Sequence, residues 1–129
     1  MEAEPGADTI ERLARRAVRR LPKRFRDYLS DVVFRVEEFA NVEQLRAVGL
    51  NNCWQLVGLY QGHPVGEQSI WSSGDLPPII SLFRRPLLQE WNETGVELED
   101  LVAHVIVHEV GHHFGLSDDQ MHAIENEAD

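Results

Sequence analysis

The chain has 129 residues, enough for one domain around one modest core. Hydrophobic residues make up 43% and charged residues 26%, which is the balance of a soluble globular protein and excludes a disordered or fibrous chain. The net charge of −10, with no interleaving of basic and aromatic residues, argues against a nucleic-acid partner.

Residues 1–7 read as a disordered leader, followed by a single domain over 8–129. Asp8 and Glu11 are spaced as a capping box. Ile10, Leu13, Ala14, Ala17, Val18 and Leu21 then recur at helical spacing up to Pro22. Residues 12–26 are strongly basic, with Arg12, Arg15, Arg16, Arg19, Arg20, Lys23, Arg24 and Arg26, whereas no Lys or Arg follows Arg85. A solvated basic face set against an acidic C-terminal half is the plainer reading; a docking surface for an acidic partner is the sharper one.

Phe25, Tyr28 and Leu29 continue a short helical segment. The β-branched and aromatic run Val32 to Phe39 reads as a strand. Val42 to Val48 has the length of a short helix, and Leu56 to Tyr60 is an apolar run that periodicity alone does not assign. Cys53, the only cysteine, can form no internal disulfide. It reads as a buried structural thiol in a reducing compartment. Glycines, serines and prolines mark residues 62–78 as a long loop, with His63 unassigned in it. Ile79 to Phe83 reads as a second strand, and Pro86 to Trp91 as the start of a helix. No apolar run reaches the length of a membrane span and no signal region opens the chain, so a cytoplasmic location without a membrane partner is expected.

Thr94-Gly95-Val96-Glu97 is spaced as a capping box for the next helix. Leu98, Leu101, Val102, Val105 and Ile106 occupy one broad arc of that helix. His108, Glu109 and His112 continue the same arc, so ionisable groups lie on a face bound for the core. A metal with its water would satisfy all three. Gly111 costs helix stability, roughly 1 kcal/mol against Ala, which a close approach at that position would explain.

From His108 the chain reads HExxHxxGxxD. His108 and His112, one turn apart, can reach one metal. Glu109 can hold a water on it, and Gly115 lets the chain turn so that Asp118 can return as a third ligand. Two imidazoles, a carboxylate and an open fourth position describe a catalytic zinc site, since structural sites are closed by four protein ligands. Asp118 has a second reading, an acid favoured by the helix dipole. Ser117 to Gln120 is itself a capping box that opens a last helix to about Asn126. Asp119 could substitute for Asp118 at a poorer offset. His104 lies about 12 Å along the axis from His112, too far to share one metal with both histidines, and reads as a hydrogen-bonded helix histidine. His113 points away from the pair. His122, four residues after Asp118, is a candidate to orient that carboxylate or to stabilise a developing oxyanion, against a plain surface histidine.

The stretch His108 to His122 resembles the small bacterial zincin-like, or minimal metalloprotease-like, metallopeptidases. Weaker similarity runs through Leu21-Pro22, Val32 to Glu37, Leu56 to Gly62 and Ile79 to Pro86. The resemblance implies a compact α+β domain with a short β-sheet against the motif helix. It implies zinc at His108, His112 and Asp118, with Glu109 as catalytic base. Larger zincins carry a second subdomain below the cleft. Only eleven residues follow Asp118, so a second copy or a protein partner is expected to complete the cleft; Met121 reads as a core methionine rather than a Met-turn, and a downstream glutamate ligand lacks space, with Glu125 as its one weak candidate. The expected activity is zinc-dependent hydrolysis of a peptide or unfolded segment, which can pair with a sheet edge. The alternative is a metal-binding or regulatory module with little catalysis.

Overall fold

A computed structural model describes residues 4–62 and 77–128. Its helices are α1 (Ala7–Arg20), α2 (Lys23–Arg26), α3 (Val42–Ala47), α4 (Arg84–Thr94), α5 (Leu98–His113) and α6 (Asp118–Glu127). The strands are β1 (Val33–Glu37), β2 (Gly58–Gln61) and β3 (Ile79–Phe83). The whole is one α+β domain, as expected. His63 and most of the predicted 62–78 loop lie outside the described residues. No helix among the described residues is long and apolar enough to cross a membrane.

The sheet has the order β1-β3-β2, with β1 parallel and β2 antiparallel to β3. Its period-two alternation sorts the side chains. Phe34 and Val36 of β1, Ile80 and Leu82 of β3, and Gly58 and Tyr60 of β2 are in register and share one face. That face meets α1 and α5 in the main core, with Ile10, Ala14, Phe25, Val102, Val105 and Ile106. On the other face Leu59 and Phe83 pack with Leu45, Leu56 and Ala40 in a second cluster, against which the half-buried Cys53 rests. The central strand β3 is therefore apolar on both faces, apart from the buried Ser81.

Two predicted caps do not form. The first residue of α1 is Ala7, the last of the expected leader. Its cap position is Gly6, so Asp8 sits inside the first turn and complements the helix dipole instead. Thr94 belongs to the end of α4, which closes on Gly95, and α5 begins after Glu97 with no side-chain cap. Thr94 Oγ1 accepts only from the Val96 N–H, at 3.4 Å. The Ser117/Gln120 capping box forms in full, and an unpredicted one at Asn41/Gln44 starts α3.

The basic helix is set against the acidic C-terminal half. Arg16 and Arg20 both reach Glu99 of α5, Arg20 at 2.5 Å, and Arg24 makes a two-pronged pair with Glu127 of α6. These pairs fasten α1 and α2 across the helices that carry the motif.

Candidate active site on the motif helix

Helix α5 is buried on most sides: Leu98, Leu101, Val102, Val105, Ile106, Val107 and Val110 are all in the core. Its one continuous polar stripe is the ladder His104, His108 and His112, spaced by four residues. The His108 ring lies 4.0 Å from that of His104 and 5.8 Å from that of His112, centroid to centroid. His108 is half-buried, while His104 and His112 are exposed.

The helix ends in a Schellman motif. The Gly115 N–H donates to the His112 carbonyl at 3.2 Å and the Leu116 N–H to the Gly111 carbonyl at 2.8 Å. Gly115 takes the predicted left-handed conformation, with φ of 75°. The turn delivers Ser117 as the cap of α6, whose first residue is the exposed Asp118. The close approach that Gly111 permits is made by α6: a Cβ there would lie 2.3 Å from the Met121 sulfur. Met121 is fully buried, a core methionine as expected.

Glu109 faces the sheet. The Tyr60 N–H donates to its carboxylate at 3.3 Å. Burial pushes the Glu109 carboxyl above its usual range; the Tyr60 N–H and nearby His112 pull the other way and only partly offset it. Phe83 N–H donates to the Val57 carbonyl, so odd-numbered residues of β2 bond to β3, and the backbone groups of Gly58 and Tyr60 point to the outer edge. The general-base candidate therefore sits at a sheet edge whose other side is unpaired by any described strand. Nothing in the sequence marked Tyr60 for this place. Its ring also packs at a tilt against His113, with centroids 4.3 Å apart, and Phe114 lies beside it at 5.9 Å.

The described residues do not gather His108, His112 and Asp118 within ligand distance of one another. The three that do come together, with donor atoms within 4.8 Å, are His104, His108 and Glu125. Glu125 of α6 meets His104 Nδ1 and His108 Nε2, each at 3.1 Å. His104 is thus hydrogen-bonded, as expected of it, through Glu125, which the sequence did not pair with it. The contact to His108 lacks hydrogen-bond alignment, and His108 Nε2 remains a buried nitrogen without a hydrogen bond. Burial, followed by the neighbouring His104, lowers the His108 pKa; Glu125 opposes this and His112 adds to it. A neutral imidazole with an unsatisfied ring nitrogen is what a metal ligand requires. His122 is exposed on α6.

No curated protein matches the chain. The profile of zincin-like metallopeptidases matches residues 29–128, which takes in β1, the sheet and both motif helices. With that match over most of its length, the chain belongs to the zincin-like metallopeptidase family.

Proposed function

We propose that the protein is a zinc-dependent peptidase that cleaves an extended peptide laid along the outer edge of β2. The observation that carries this reading is the position of Glu109. Its carboxylate is held by the Tyr60 N–H at the sheet edge, on the same helix as His108 and His112. The residues suit the metal that the family implies. His108 Nε2 is a buried nitrogen that makes no hydrogen bond, and imidazole with carboxylate is a donor set that zinc favours.

In this reading His108, His112 and Asp118 hold the zinc. Asp118 is exposed at the start of α6, so no packing holds its side chain in place. Bound zinc would supply Lewis-acid chemistry to a water and to the scissile carbonyl. The chain's own residues do the remaining work. The backbone groups of Gly58 and the Tyr60 carbonyl pair with the substrate strand and fix its register, while the Tyr60 N–H stays on Glu109. Glu109 takes a proton from the attacking water and delivers it to the leaving amine. Its burial raises its proton affinity above that of a free carboxylate. His122, four residues along α6 from Asp118, orients that carboxylate.

The test is metal analysis of protein purified without a histidine tag, followed by a peptide-library digest of zinc-loaded and chelator-treated samples. About one zinc per chain and cleavage lost on chelation are expected. Protein that takes up no zinc, or a library left intact by the zinc-loaded form, overturns the reading.

A further inference from the structure

The histidine ladder on α5 contains two overlapping i, i+4 pairs. The pair that reaches one turn before the motif, His104 and His108, is the closer of the two, and the Glu125 carboxylate lies between its ring nitrogens. Zinc bonds of about 2.0–2.1 Å in tetrahedral geometry set ligand atoms about 3.3 Å apart. Both Glu125 contacts, at 3.1 Å, are close to that spacing. A hydrogen bond explains the contact to His104 but leaves His108 Nε2 buried without one. A cation between the three side chains satisfies every one of these atoms.

The position has an entrance. A pocket of about 340 Å³ opens on His104 and Glu125, and Glu90 and Asp100 also line it. A wall carrying three carboxylates raises the local concentration of cations.

We propose that His104, His108 and Glu125 form a second divalent transition-metal position, which shares His108 with the HExxH motif and competes with the motif for it. It rests on the zincin reading only in the competition, because the trio can bind without His112, Asp118 or Glu109. One imidazole nitrogen serves one cation. The chain therefore holds a single zinc in either of two places, and α6 decides through Glu125 how much of the metal stands away from Glu109.

Zinc content after equilibrium dialysis against dilute zinc tests this, with the fold of each variant checked by circular dichroism. His112→Ala should retain about one zinc per chain, and Glu125→Gln alone should also retain it. The double variant His112→Ala/Glu125→Gln should lose it. Cobalt(II) in place of zinc should give different visible spectra in the two single variants, since the ligands differ. A His112→Ala protein that is folded but metal-free, beside a Glu125→Gln protein with its full zinc, overturns the proposal and leaves the trio a hydrogen-bonded cluster. The reverse pattern, with zinc lost in Glu125→Gln and kept in His112→Ala, supports the trio and overturns the motif as the metal site.

Discussion

Gly111 and the side chain of Met121 contend for one space where α6 crosses α5: a Cβ on Gly111 would fall 2.3 Å from the sulfur and 2.8 Å from Cγ. Met121 is fully buried and has no open side to retreat to. Gly111→Ala gains helix propensity of about 1 kcal/mol but overpacks this contact, which costs about 1–3 kcal/mol. A net loss of about 1 kcal/mol in urea unfolding is expected. In a Met121→Ala background the clash is gone, and the same substitution should stabilise the protein. Additive effects of the two substitutions would show that the contact does not limit packing.

Glu99 is the point where the basic N-terminal helix is fastened to α5. Its side chain is only 13% exposed and receives both Arg16 and Arg20. Glu99→Gln removes the charge that Arg16 and Arg20 share, while Asp100 still stands 3.5 Å from Arg20. Because Arg20 is more than a third exposed, solvent screens much of the loss, and about 1 kcal/mol is expected. Urea unfolding at low and high salt checks it: the difference from wild type should shrink as salt rises. A difference independent of salt would assign the loss to packing.

Much of this architecture was legible because it is local. The 3.6-residue period of 98–113 gave α5, the Ser117/Gln120 box gave the start of α6, and the β-branched runs gave β1 and β3. Strand β2 was not, because its four residues carry no resolvable period and its Gly58 matters only once Val105 of α5 is packed against it. The Thr94–Glu97 box misled for a related reason. Gly95 in the left-handed conformation ends α4 there, and a local capping pattern yields to the neighbouring helix. At the site, the i, i+4 histidines were visible along one helix. The Tyr60 N–H on Glu109 and the Glu125 carboxylate on His104 and His108 arise between elements, where spacing in one segment says nothing.

Glu109→Gln separates the proton-transfer role from the structural one. The amide oxygen can still accept from the Tyr60 N–H, but it cannot carry a proton. Zinc content should be unchanged and peptide cleavage should fall roughly 10²–10⁴-fold. The stability of metal-free protein should move the other way. Burial raises the Glu109 pKa above that of the unfolded chain, so the ionised group disfavours the fold at neutral pH. The Gln variant is expected to melt at or above the wild-type temperature at pH 7, and the gap should close as pH falls through the carboxylate range. Cleavage at the wild-type rate, with contaminating proteases excluded, would remove Glu109 from the chemistry.

Asp118 and Asp119 provide an internal control for the third ligand. Both lie in the first turn of α6, both are exposed, and both complement the dipole of the same helix. As helix-end acids they are equivalent, each worth about 0.3–1 kcal/mol, so Asp118→Asn and Asp119→Asn should lower the stability of metal-free protein by similar small amounts. Only Asp118 stands at the motif offset, three residues beyond Gly115. A ligand lost from zinc costs far more than a helix-end charge. Chelator competition should therefore show zinc affinity falling by more than about tenfold in Asp118→Asn and holding near wild type in Asp119→Asn. The measurement is best made in the Glu125→Gln background, where the second position cannot mask the loss. Equal affinity in both variants would strike Asp118 from the ligand set and leave it as the acid that begins α6.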